Sequence, residues 1–264
     1  MEYDCYYNDI DNSDEINNSI LIQEYDTIKK TFQKAVLFKN DHAKRHLIEG
    51  CARRQTMMQT SRVKIFTRTK NKSPLSIFEV DIYTIFLDAY YFNLRGALDN
   101  IAWALTYEFD LETITDEEKV IRKIDLFKCT CNKIEMKNKN IYKIIKKYTL
   151  WNNEVKKIRD PIAHRIPVCF YGNVLTEDEL LLQNSIYDDI NCIFCIDWKN
   201  NYNYYIEKIG DLQSEAQSIG NFLPFIDLSS DDGHKTCNAV DQMNIDQTIF
   251  LNLINGILDN VYTS

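Results

Sequence analysis

The stretch Trp151–Val168 reads WNNEVKKIRDPIAHRIPV, and its reading decides the fold. Upstream, Ile141, Ile144, Ile145, Tyr148, Trp151, Val155 and Ile158 recur at helical spacing, which predicts a helix from about Lys139 that delivers Arg159 at its end. Pro161 lacks an amide donor and crowds the preceding turn, so Asp160-Pro161 reads as the N-cap and first position of a new short turn. Arg159 and His164 are therefore expected around a kink, with converging side chains. An imidazole that titrates near neutral pH can move protons. A guanidinium beside it can neutralise the non-bridging oxygens of a phosphodiester.

Working outward, the longest apolar repeat is Ile77, Val80, Thr84, Leu87, Tyr91, Leu94, Leu98, Ile101 and Leu105. This 3,4 spacing predicts one long helix of an antiparallel bundle, opened by Ser73 as N-cap and Pro74 at its first position. Asp88, Phe92, Arg95, Asp99 and Ala102 form a mixed stripe beside it, where Arg95 and Asp99 stand four apart as an ion pair. Gly96 costs about 1 kcal/mol relative to Ala inside a helix and is expected to let another helix pass closely.

Arg159, a polar Asp160, a short spacer and His164 resemble the signature of the HEPN superfamily of small helical proteins. Ala163-His164-Arg165-Ile166-Pro167 resembles the end of that motif in a group of bacterial HEPN-like proteins, and Leu94–Leu105 resembles their preceding long helix. The resemblance covers roughly residues 76–172. It implies an all-α, antiparallel helical bundle acting as a metal-independent endoribonuclease in phage defence or a stress response, in which the RNA 2′-hydroxyl attacks its own phosphate. Carried over, His164 is the general acid or base, Arg159 stabilises the phosphorane charge and Asp160 orients one of them. The resemblance also implies a homodimer with two motifs facing one groove. Some HEPN toxins carry a tyrosine two positions after the histidine; Ile166 stands there, so nucleotidylation by a partner enzyme is not expected. The alternative reading is a non-catalytic HEPN-like module that binds RNA or a partner protein, and a third is a purely structural helical protein.

Charge is distributed in keeping with a phosphate-binding surface. The chain of 264 residues has a net charge of −8, yet residues 133–165 carry ten Lys/Arg against three Asp/Glu, and residues 41–70 carry eight against two. Residues 166–264 carry three against fifteen. Lys156, Lys157, Arg165 and Arg95 are the candidate RNA-binding cations. Taken singly, each basic segment reads equally as a solvated helix face.

With 45% hydrophobic and 27% charged residues the chain reads as globular, and only 7 Gly and 4 Pro favour long helices over a many-turned β fold. No apolar run approaches the roughly 20 residues that span a bilayer, and the acidic N-terminus is no secretory signal, so a cytoplasmic protein with reduced thiols is expected. Residues 1–18 read as a flexible acidic leader, and 19–264 as one helical domain with its motif core at 76–172 and a looser region at 173–264.

Further helices are expected over about 20–38, from Asp41, from Asp116, over 202–219 and from Asn244. Thr176-x-x-Glu179 is a capping box opening a helix to about Asn184. Val63–Thr67, Cys169–Tyr171 and Ile190–Trp198 look extended, giving one or two short strands, and 227–241 reads as a loop. Cys192-x-x-Cys195 is half a zinc pattern without a second half, and His42 with His46 lacks a third ligand. No phosphate loop, dinucleotide fingerprint or nucleophile elbow is present, so neither metal nor cofactor is expected.

Overall fold

Helix dominates the architecture, with one small antiparallel sheet, as the low glycine and proline content leads one to expect. The computed structural model describes residues 10–71, 73–111, 124–164, 169–195, 201–230 and 233–262. Contacts divide the chain into two compact units where the sequence drew one domain. Unit 1 takes Met1–Val63, Phe86–Pro167 and Asp241–Ser264; unit 2 takes Lys64–Ile85 and Val168–Val240. The region beyond residue 173 is thus shared: 173–240 belong to unit 2 and 241–264 to unit 1.

In unit 1, α1 spans Ile10–Ala35. Residues 10–18 are therefore helical rather than leader, while 1–9 lie outside the described residues. The reason is a partner that periodicity does not reveal. Asn17 is buried, and its side-chain oxygen accepts from Arg62. The next rod runs through α2 (Asp41–Arg45), a π-helical turn (His46–Ala52) and α3 (Arg53–Thr69). The helix starts at Asp41 as expected, and its N-cap is Asn40, whose Oδ1 accepts from His42 N at 2.9 Å and Ala43 N at 3.2 Å. The stretch Val63–Thr67 is helical, against expectation; Ile65 and Phe66 are buried, and packing overrides β-branched preference.

The long helix α4 spans Ile77–Glu108. It is opened by Ser76 rather than Ser73: Ser76 Oγ accepts from Glu79 N at 3.3 Å, and Glu79 Oε2 accepts from Ser76 N at 2.9 Å. From Leu87 onward the predicted stripe is core, with Leu87, Tyr91, Leu94, Leu98, Ile101 and Leu105 all buried. The helix expected from Asp116 begins outside the described residues. Then follow α5 (Cys129–Lys137), α6 (Lys139–Lys147) and α7 (Thr149–His164). Asn138 caps α6 by accepting from Ile141 N at 3.0 Å. The last helix of this unit, α10, spans Ala239–Asn260 and buries Phe250, Leu253, Ile254 and Ile257.

In unit 2, β1 (Cys169–Val174) forms where an extended segment is predicted. The Thr176/Glu179 capping box opens α8, which runs on to Phe194 and absorbs the start of the strand expected at Ile190. Helix α9 (Tyr202–Ser218) follows, and Ile186, Ile190, Ile193, Ile209 and Ala216 form the joint core of α8 and α9. Gly220 has φ +102°, and an added Cβ would meet Leu175 and the Val174 carbonyl.

The expected loop at 227–241 is instead the end of β2 (Asn221–Ser230), the strand β3 (Gly233–Asn238) and the start of α10. The three strands pair antiparallel in the order β1-β2-β3. Pro224 hides the strand from a sequence reading, because proline cannot donate to a ladder. Here it falls at the irregularity in the β1–β2 register and before the β2–β3 ladder, which starts at Phe225.

Candidate functional site

Helix α7 does not break at Asp160-Pro161. It continues to His164, so the expected break and new turn are absent. Pro161 enters only the last turn, and the carbonyl it leaves without a donor is that of Lys157, an exposed residue whose carbonyl water can satisfy. Buried Val155 and Ile158 hold the helix against the core up to that turn. Arg159 and His164 are five residues apart on one helix, about 7.5 Å of rise and about 140° around its axis. The two positions therefore fall on different faces, and the convergence expected within one chain is not met. The His164 side chain and the whole of Arg165 lie outside the described residues.

Arg159 is partly exposed, its side chain at 28%. Its NH1 donates to Asp160 Oδ1 at 2.8 Å, and its Nε is buried with no partner among the described residues. Lys157 pairs with Glu154 at 2.9 Å on the exposed face. Lys156 reaches Asp125 at 3.5 Å.

Arg95 is buried, and its guanidinium is committed inside the protein. NH1 donates to Asn152 Oδ1 at 2.9 Å, and NH2 meets both Asp125 Oδ2 and Asp99 Oδ1 at 3.0 Å. The i,i+4 pair read from sequence is present and extended to α7 through Asn152. Burial pushes the Asp99 carboxyl up, with Asp125 adding to this; Arg95, Arg159 and Arg54 act the other way. Burial pulls Asp125 up as well, but Arg95, the Phe127 amide and Lys156 outweigh it and hold its carboxyl below the usual range. Asp99 thus stands in the field of three arginines from three helices.

The third of these, Arg54, is one the sequence reading missed. It lies on Gly96, where an added Cβ would run into its guanidinium, and its NH1 donates to Asn93 Oδ1 at 3.2 Å. The space that Gly96 opens is therefore filled by an arginine of the neighbouring helix. Seven positions further along α4, Asn100 repeats the arrangement. Asn93 Nδ2 donates to the Ala89 carbonyl and Asn100 Nδ2 to the Gly96 carbonyl, both at 2.7 Å, which turns each Oδ1 outward. The Asn100 Oδ1 meets His46 Nδ1 at 3.0 Å, and the close approach requires Gly50 opposite. A carbonyl oxygen only accepts, so His46 carries its proton on Nδ1 and, in the neutral ring, a lone pair on Nε2.

Beside this, His42 and His46 stack with Trp103 and Tyr107. Ring centroids are 5.2 to 5.7 Å apart, with interplanar angles from 7° to 27°. The histidine pair considered for a metal is engaged by rings, and no cluster of three metal-ligating side chains occurs among the described residues. The i,i+4 spacing of both His42/His46 and Trp103/Tyr107 was the available signal.

Among the described residues no helix is long and apolar enough to cross a membrane. No protein-family model matches the chain, and neither a curated protein nor a solved structure matches it.

Proposed function

We propose that the protein is a HEPN-like endoribonuclease that binds RNA phosphate at Arg159 and cleaves the chain beside it without a metal. The observation that carries this reading is the state of Arg159. It is a partly exposed guanidinium held by Asp160 on the helix that ends in His164, and with Arg54 and Arg95 it acts on the Asp99 carboxyl, while Lys156 pairs with Asp125 nearby. Such a group offers fixed donors to phosphate oxygens and stabilises the extra charge they gain in a phosphorane.

The chemistry follows from the residue types. His164 takes the 2′-hydroxyl proton as the 2′-oxygen attacks phosphorus, and the 5′-oxygen leaves with a proton returned to it. The products are a 2′,3′-cyclic phosphate and a 5′-hydroxyl. One imidazole cannot give and take a proton in the same step, so a homodimer with two motifs facing one groove supplies both base and acid. Lys156 and Lys157 on this helix, with Arg165 after it in sequence, are the cations proposed to meet the strand, and Arg95 holds Asn152, Asp99 and Asp125 in place.

The test is incubation of a mixed RNA pool with purified protein in EDTA, comparing wild type with His164→Ala and Arg159→Ala. Cyclic-phosphate ends from the wild type alone support the reading. Cleavage that survives in His164→Ala removes the motif from the mechanism. RNA binding without cleavage by the wild type transfers the site to a non-catalytic RNA-binding module.

A further inference from the structure

We propose that the four-ring stack of His42, His46, Trp103 and Tyr107 is a nucleobase platform that holds a single-stranded RNA base next to the arginine site. The inference rests on the RNA-binding part of the reading above and does not need the cleavage step.

Four observations meet there. The rings are near-parallel and offset, the arrangement that aromatic faces favour among themselves and toward planar bases. They are not sealed in the core: His42 is exposed, and His46, Trp103 and Tyr107 are half-buried. One of the rings is fixed in orientation, since Asn100 donates to the Gly96 carbonyl and holds His46 through Nδ1. It is also contiguous with the cations. Along one face of α4, Asn93, Gly96, Asn100, Trp103 and Tyr107 follow at 3,4 spacing, with Arg54 on Gly96 and Asp99 beside it in the field of Arg54 and Arg159.

Stacking works on any base, because every base has a π face, so the platform supplies affinity with little sequence preference. Arg54 and Arg159 then hold the flanking phosphates, and a strand laid along α4 is gripped by base and backbone at once.

The experiment is fluorescence anisotropy with end-labelled oligoadenylate, oligouridylate and an abasic ribose-phosphate oligomer of equal length, at low salt. Binding of the base-bearing strands by the wild type about tenfold or more tighter than the abasic strand is expected. That preference should fall about tenfold in Trp103→Leu and return in Trp103→Phe, while the salt dependence set by phosphate contacts stays the same. Tyr107→Leu provides an independent reading should thermal unfolding show Trp103→Leu to be misfolded.

Equal binding of base-bearing and abasic strands by the wild type overturns the platform and leaves phosphate binding at the arginines intact. A preference that persists in both folded leucine variants overturns it as well. Failure to bind any strand removes the platform together with the RNA reading. A His164→Ala protein that no longer cleaves but keeps the base preference separates the two proposals.

Discussion

Trp151 donates its indole N–H to Asp246 Oδ1 at 2.9 Å across 95 positions of sequence, tying the first turn of α7 to α10. Asp246 is buried and is also the acceptor for the Tyr91 hydroxyl at 3.0 Å and the Gln242 amide at 3.1 Å. Burial pushes its carboxyl up, against these three donors. Replacing it with alanine removes the acceptor that the indole N–H and the Tyr91 hydroxyl share. Asp246→Ala should lower stability by about 2–4 kcal/mol, read as a lower urea midpoint at unchanged slope. Asp246→Asn keeps an acceptor oxygen and should lose less. An alanine variant as stable as wild type would mean that this hub does not anchor α7.

Trp151 and Asp246 also mark what the sequence could reveal. Apolar spacing identified Trp151 as inward-facing, and it is. The Thr176/Glu179 capping box and the Leu87–Leu105 stripe were legible for the same reason, since each is a local pattern with one structural solution. Asp246 was not legible, because a buried carboxylate differs from an exposed one only in partners brought together by the fold. The same holds for Asn17 against Arg62 and for Arg54 against Gly96. The Pro161 break was misread because proline was weighed at an average helix position. Here the freed carbonyl belongs to an exposed residue one turn from the helix end.

Arg62 and Glu24 form an ion pair of which each side chain is 1% exposed, with guanidinium–carboxylate distances of 2.9 Å at both contacts. Asn17 and Asn244 accept from the remaining NH1. Glu24→Ala leaves a buried cation and should cost about 3–5 kcal/mol, whereas a Glu24→Leu/Arg62→Met double variant should recover most of this. Chemical denaturation of the two proteins decides it. A double variant no better than the single one would show that the Asn17 contact, and not the pair, holds α1 on α3.

Asp88 should make stability fall as pH rises. Burial pushes its carboxyl up to about 6, and its Oδ1 has no hydrogen-bond partner among the described residues. The folded state therefore holds a proton that the unfolded chain, with a carboxyl near 4, releases. This contribution is fully present below pH about 4 and is lost as pH rises through about 6. Asp88→Asn removes the dependence. It should stabilise the protein by about 1 kcal/mol at pH 7, after allowance for solvent screening, and change little at pH 4. Thermal melts at both pH values test the sign; equal effects at the two would rule out a titrating Asp88.

Gly96→Ala separates the stability of the α3–α4 seam from its use. Alanine favours helix over glycine by about 1 kcal/mol, and nothing at position 96 requires a positive φ. The added methyl, however, occupies the place of the Arg54 guanidinium, which is the far end of a flexible side chain and can swing away. The variant should therefore melt within a few degrees of wild type while losing the fixed arginine next to Asp99 and Arg159. If Arg54 contacts an RNA phosphate, affinity for single-stranded RNA drops, and the slope of log affinity against log salt becomes shallower by about 0.7, one phosphate contact on a single strand. Arg54→Gln should reproduce the shift with Gly96 in place. A stable Gly96→Ala protein with unchanged affinity and slope would reduce Arg54 to packing and leave Arg159 to bind phosphate without it.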